Sequence, residues 1–138
     1  MFDIESNIYI NPINCVGTMG KGLALEFKNR YPEMFNDYKI ACNNKKIDIG
    51  KLWIWQNNDI CIIGFPTKYH WKNQSKYEYI EEGLKALKIF LSTQPNNAIV
   101  SIPAIGCGCG GLEWNIVVEL LEKYLSTSTQ NINIYVPF

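Results

Sequence analysis

The sequence predicts an α/β protein, a three-layer α/β/α sandwich built on a mixed, largely parallel central sheet. Apolar runs of strand length alternate along the chain with segments of helical period, the pattern that puts helices on both faces of a sheet. Two strand-to-helix connections, residues 11–22 and 103–111, are rich in glycine. One pair of neighbouring runs, residues 51–56 and 60–65, reads as a hairpin across the turn Asn57-Asn58-Asp59 and adds an antiparallel member. A chain of 138 residues supports one core and not two, so residues 1–138 are read as a single domain.

In order, residues 4–10 form the first strand, with the apolar run Ile8-Tyr9-Ile10 at its end. A helix over residues 20–30 follows and carries Leu23, Ala24 and Phe27 on one face. Tyr31-Pro32 interrupts it, because the residue before a proline avoids the αR region. Pro32 then opens a second helix that runs to about Ala41. In residues 51–56, Leu52 and Ile54 alternate with Trp53 and Trp55, a strand pattern. Residues 60–65 are continuously apolar, which suits a central strand. Residues 75–92 have helical period, with Tyr79, Leu84, Leu87 and Leu91 facing the sheet, and Ser75 with Glu78 three residues later fits a capping box. Residues 98–102 give a buried strand, residues 113–125 a helix, and residues 132–136 the strand that closes the sheet.

Composition narrows the function classes. Formal net charge is zero, so no global field draws the chain to nucleic acid or to an anionic membrane; such contact would rest on a local patch. The apolar runs are far shorter than the roughly 18 residues of a membrane span. No charged segment followed by an apolar stretch opens the chain, so neither membrane association nor a signal peptide is expected. Five cysteines, an odd number, fit reduced thiols in a cytoplasmic protein. Cys107 and Cys109 are closer in sequence than the spacing of about two to four residues that paired zinc cysteines keep, and His70 is the sole histidine. No metal site and no cofactor is expected.

The first glycine-rich stretch lies between an apolar strand and a helix start. Gly17, Gly20 and Gly22 allow backbone N–H groups to come close to a ligand, and the helix start adds unpaired donors at a positive dipole end. The second stretch repeats the arrangement with Gly106, Gly108, Gly110 and Gly111. Two such loops at the carboxyl edge of one sheet would grip a diphosphate from opposite sides. The alternative is two unrelated tight turns, which would need far less glycine.

Asn11-Pro-Ile-Asn14, Gly17-Thr-Met-Gly-Lys-Gly22 and Ile102-Pro-Ala-Ile-Gly-Cys-Gly-Cys-Gly-Gly-Leu-Glu-Trp114 resemble the two ligand loops of a macrodomain, a family that binds ADP-ribose. Met19-Gly-Lys-Gly22 leading into Leu25-Glu-Phe-Lys28, together with Phe65-Pro-Thr-Lys68 and Trp71, is similar to the branch of DarG-type antitoxins and terminal ADP-ribose glycohydrolases. The resemblance runs from about Ile8 to the end of the chain. It implies a macrodomain-like sandwich whose first strand and adenine-contacting segment are short or missing, since Asp3 does not align with the adenine contact.

Residue by residue, the resemblance implies a first binding loop of Asn11, Asn14, Val16, Gly17, Thr18, Met19, Gly20 and Gly22. The second comprises Pro103, Ala104, Gly106, Cys107, Gly108, Cys109, Gly110, Gly111 and Leu112. Asn14 would bond the distal ribose hydroxyls or cap its own turn, and the two roles are compatible. Lys68 matches the catalytic lysine of the branch; an amine there can attack the anomeric carbon or move its protons. The alternative is a solvated lysine past a strand end. Gly110 stands where terminal ADP-ribose glycohydrolases have an aspartate and DarG-type antitoxins a glycine. Cys107 and Cys109 read as small loop fillers, and Lys21 as a solvated helix-start residue.

The implied activity is an ADP-ribosyl glycohydrolase acting on ADP-ribose attached to thymidine in single-stranded DNA. Tyr69, His70, Trp71 and Lys72, followed by Lys76, Tyr77 and Tyr79, make a basic and aromatic cluster that suits a single strand, with His70, Trp71 and Lys72 as the candidate DNA contacts. His70 as a plain surface imidazole, and the tyrosines as helix packing, are the bland alternatives. Two rivals use the same pocket: an ADP-ribose-1″-phosphate phosphatase and a non-enzymatic ADP-ribose binding module. The expected partners are ADP-ribose or an ADP-ribosylated substrate, and single-stranded DNA. The oligomeric state is open at this level.

Overall fold

The computed structural model describes residues 1–2 and 5–137. In chain order the elements are β1 (Ile8–Asn14), α1 (Gly22–Arg30), α2 (Pro32–Asn43), β2 (Trp53–Gln56), β3 (Cys61–Lys68), α3 (Tyr77–Ser92), β4 (Ile99–Ile102), α4 (Trp114–Leu125) and β5 (Asn131–Ile134). The strands form one sheet in the order β2-β3-β1-β4-β5. β2 is antiparallel to β3, and the other pairs are parallel. The sheet is therefore mixed and largely parallel, with the hairpin where the sequence placed it. Among the described residues no helix is long and apolar enough to cross a membrane.

Side-chain alternation along the strands divides the core in two. α1 and α2 cover one face, where Phe27, Met34 and Tyr38 close over Tyr9, Ile13 and Ile62. α3 and α4 cover the other, where Ile80, Leu84, Val117 and Leu121 close over Ile10, Ile63 and Val100. Each of these fully buried aliphatic side chains contributes roughly 1.5–3 kcal/mol relative to exposure. Gly83 lets α3 lie directly on Phe65, because a Cβ there would stand 2.3 Å from the ring.

Several element boundaries differ from the sequence expectation. β1 begins at Ile8 and runs on through Asn11 and Pro12 to Asn14, and Ile4 and Asp3 lie outside the described residues. β3 likewise extends through Pro66 to Lys68. Both prolines fall where the strand has a ladder partner on one side only: β4 pairs with β1 just at Ile8 and Tyr9, and β2 reaches β3 no further than Gly64. A missing N–H is tolerated in such edge-like positions. In β2 the tryptophans turn inward against the α1–α2 core, and Ile54 is exposed.

Helix starts differ too. α1 begins at Gly22 and not at Gly20. α3 begins at Tyr77 after Lys76, without a side-chain cap, so the Ser75–Glu78 capping box does not form. The Ser75 N–H is instead donated to the Gly110 carbonyl at 3.0 Å. Ile80, Gly83, Leu84, Leu87 and Leu91 make the buried face of α3. Tyr79 turns away from the sheet and meets Tyr69 edge-on at 5.5 Å.

Two features place the site. β1 leads into α1 on one face, while its neighbours β3 and β4 lead into α3 and α4 on the other. The chain therefore parts above the carboxyl end of β1, where open α/β sheets bind ligands. The ladders also diverge there: β1 pairs with β3 along its whole length but with β4 at only two residues.

Candidate active site

Three connections share the carboxyl rim of the sheet: residues 15–21 after β1, residues 69–76 after β3, and residues 103–113 after β4. They are tied to one another. The Cys15 N–H donates to the Tyr69 carbonyl at 2.9 Å, and the Ser75 N–H to the Gly110 carbonyl. The middle connection thus bridges the two glycine loops.

Asn14 shapes the first loop. Its Nδ2 donates to the Thr18 carbonyl at 2.8 Å, and its Oδ1 accepts the N–H groups of Val16 and Thr18 at 3.1 and 3.3 Å. The Tyr38 hydroxyl donates to both the Oδ1 and the main-chain carbonyl of Asn14, at 2.8 and 2.7 Å. The carboxamide is thus engaged on both atoms by its own loop and by α2. Below it Met19 is fully buried and receives the Asn11 Nδ2 at 3.9 Å, which anchors the loop to the core. Gly17 adopts φ +88° at the turn, a conformation that favours glycine.

What this loop leaves free is a set of donors. Among the described residues, the N–H groups of Met19, Gly20 and Lys21 find no acceptor. They lead straight into the amino end of α1, where further N–H groups are unpaired by helix geometry.

The second loop closes on itself. The Leu112 N–H donates to the Gly106 carbonyl at 2.9 Å, and Ile105 plugs the loop into the α3–α4 core. At Gly110 a Cβ would stand 2.5 Å from the Gly106 carbonyl oxygen and 2.5 Å from the Ser75 Oγ, so no side chain fits there. The N–H groups of Gly106, Gly108, Cys109 and Gly110 find no acceptor among the described residues. Unpaired donors therefore come from both loops, the arrangement that suits a diphosphate.

Lys68 closes β3 opposite Asn14 in the parallel register. The residue is buried, with 9% of its surface exposed, and is no solvated lysine. Its Nζ donates to the carbonyl of Trp71 at 3.2 Å and lies 3.5 Å from that of Cys109. The amine thus stands at the junction of the middle connection and the second loop. Glu113 is the one acidic residue in residues 15–21, 69–76 and 103–113, whereas Lys21, Lys72 and Lys76 fall in them and Lys68 adjoins them. The rim is locally cationic on a chain of zero net charge.

Cys15 and Cys107 offer no thiolate here. Burial, with Asp48 and Cys42 nearby, pushes the Cys15 thiol up to about 11, and burial raises Cys107 as well. The Cys107 Sγ points to the Ile105 carbonyl at 3.6 Å.

Of the aromatic and basic cluster, Trp71 is half exposed, stacked on His70 at 5.3 Å with the Lys72 Nζ 5.1 Å from its ring. The Tyr77 hydroxyl accepts the Glu113 N–H at 3.1 Å, so that tyrosine anchors the end of the second loop. Two residues of the rim escape sequence reasoning. Tyr38 holds Asn14 from 24 positions away, and Ser75 meets Gly110 through a contact no local pattern encodes.

Comparison with known proteins agrees with this geometry. The Macro domain family model matches residues 10–121. A DNA ADP-ribosyl glycohydrolase of Mycobacterium tuberculosis is 44% identical over 121 residues, which cover 85% of this chain and 34% of that protein. The chain thus spans about a third of the length of that relative. The solved macrodomain of Mycobacterium tuberculosis DarG superposes with a TM-score of 0.92 at 40% identity, covering 98% of this chain and 91% of that one. Thermosipho africanus DarTG in complex with ADP-ribose superposes with a TM-score of 0.92 at 33% identity, covering all of this chain and 40% of that one. With a family model matching residues 10–121 and these likenesses over most of its length, the chain belongs to the macrodomain family.

Proposed function

We propose that the protein is an ADP-ribosyl glycohydrolase that releases ADP-ribose from a modified base in single-stranded DNA, thymidine being the favoured acceptor. In this reading the unpaired N–H groups of the two glycine loops hold the diphosphate of ADP-ribose, and the distal ribose lies above β1. Lys68 then faces the anomeric carbon. The observation that carries the reading is Lys68, a buried residue whose Nζ is held at the rim by the carbonyls of Trp71 and Cys109.

Those carbonyls have a chemical consequence. They accept two of the N–H groups of Lys68 and so fix the direction of its Nζ, and the remaining position on that nitrogen is the one turned to the sugar. Attack on the anomeric carbon expels the base with the bonding electron pair, and the base takes up a proton. Water then adds to the sugar carbon, and ADP-ribose leaves as the amine is regenerated. Similarity to a DNA ADP-ribosyl glycohydrolase supports the choice of acceptor. A phosphatase acting on the 1″-phosphate by histidine and aspartate chemistry has no such side chain in either glycine loop.

The test is incubation of the protein with an oligonucleotide bearing ADP-ribosyl-thymidine, beside ADP-ribose-1″-phosphate. The expected result is loss of the modification from the oligonucleotide, abolished by Lys68→Ala with ADP-ribose binding kept. Undiminished cleavage by the variant removes Lys68 from the mechanism. Release from the phosphate ester alone makes the protein a phosphatase, and binding without turnover makes it a reader.

A further inference from the structure

We infer that the groove lined by residues between Tyr69 and Tyr79 holds the nucleotide adjoining the modified one, with its base stacked on the Tyr69–Tyr79 pair and its phosphates on Lys72 and Lys76. This deepens the proposed function and rests on it: the occupant is single-stranded DNA.

The groove has a volume of about 560 Å³, within the range of about 300–1,000 Å³ for clefts that bind small ligands. Its position is set by the site. Tyr69 follows Lys68 directly, and its carbonyl is bonded to Cys15 of the first loop. At the other end Ser75 is bonded to Gly110, and a Cβ on Gly111 would lie 3.8 Å from the Gln74 carboxamide. The groove therefore spans from one glycine loop to the other, just outside the rim where the acceptor must leave the sugar.

Its chemistry is that of a strand-binding surface. Tyr69 is half exposed and meets Tyr79 edge-on, so the pair offers an open aromatic surface. The Lys76 Nζ lies 5.7 Å from the Tyr79 ring, and Lys72 lines the same groove. No acidic side chain lines it, and Asn73 and Gln74 supply amide donors and acceptors for a base edge. Aromatic faces interleaved with cations stack bases while neutralising the backbone. A base inside a duplex is already stacked on both faces, so such a groove selects unpaired strands. His70 and Trp71 are not among its lining residues, and the aromatic and basic cluster expected from the sequence enters it through Tyr69, Lys72, Lys76 and Tyr79.

The test uses two substrates: a thymidine pentamer with a central ADP-ribosyl-thymidine, and the ADP-ribosyl-thymidine nucleoside without flanking nucleotides. Tyr79→Ala, at a half-buried position outside both core clusters, is expected to lower kcat/KM about tenfold on the pentamer and leave the nucleoside and the Kd for ADP-ribose within about twofold. Lys76→Gln is expected to flatten the dependence of pentamer affinity on log salt by about 0.7. Equal losses on both substrates, or no loss on either, would overturn the inference. A second arm titrates unmodified pentamer into the ADP-ribose-saturated protein, followed by fluorescence anisotropy. Binding that weakens with Tyr79→Ala supports the groove even if the wild type cleaves neither substrate, which would remove only the glycohydrolase reading. Absence of binding by the wild type overturns the groove whatever the cleavage assay gives.

Discussion

Lys68 separates two requirements that a lysine can meet, donating hydrogen bonds and carrying a lone pair. Arginine keeps the first and loses the second, because its guanidinium does not deprotonate in proteins. Lys68→Arg is therefore expected to retain ADP-ribose binding and to lose turnover by at least about a hundredfold, the scale of a removed acid–base or nucleophilic group. Single-turnover release from the modified oligonucleotide checks it, and activity near the wild-type level would show that the lone pair is not used. Asn14 raises a different question, since its carboxamide is engaged within the loop. Tyr38→Phe removes the hydroxyl that donates to the Asn14 Oδ1 and carbonyl and leaves the bonds from Val16 and Thr18 in place. The expected cost is about 1–3 kcal/mol in a denaturant titration, because a buried carbonyl loses its partner. ADP-ribose affinity should fall with it by calorimetry. Unchanged stability would mean that the loop keeps its shape without α2.

At the scale of elements, the close approach of α3 to the sheet depends on Gly83. Alanine would favour the isolated helix by up to about 1 kcal/mol. A Cβ 2.3 Å from the Phe65 ring must displace either the ring or the helix, at about 1–3 kcal/mol. Overpacking wins, so Gly83→Ala should lower the thermal midpoint, and a stabilised variant would refute the contact. The elements also show what local sequence encodes. The apolar runs Ile8-Tyr9-Ile10 and Ile60 to Phe65 mark central strands by hydrophobicity alone. Their extensions, through Asn11 to Asn14 and Pro66 to Lys68, carry no strand signal and exist because each continues the ladder of the other. The two glycine loops were legible because unpaired donors need glycine in quantity. The Ser75–Glu78 pair misled because the Ser75 N–H is claimed by Gly110, a partner 35 positions away. Tyr79 misled for a related reason: helical period groups it with the core face, while the Tyr69 ring draws it to the rim.

Across the whole molecule, the weak seam of the sheet lies where the ligand is proposed to sit. β2, β3 and β1 are joined by long ladders, whereas β1 and β4 share only the pairs Ile8–Val100 and Tyr9–Ser101. Above those pairs the two halves are connected through the middle segment and the Lys68 amine. A diphosphate held by both glycine loops would add a bridge across this seam, and it binds only the folded state. At about a hundredfold excess over its Kd, ADP-ribose should then stabilise the protein by about 2.7 kcal/mol. For a domain of this size that is roughly a 10 °C rise in the thermal midpoint. Hydrogen exchange should slow most in the amides of residues 103–113 and of β4, on the far side of the seam from β3. Gly110→Ala should weaken both effects together, since its Cβ would collide with the Gly106 carbonyl and force the second loop out of shape. Protection confined to the first loop, with β4 unchanged, would mean that the ligand does not span the seam and that one loop binds alone.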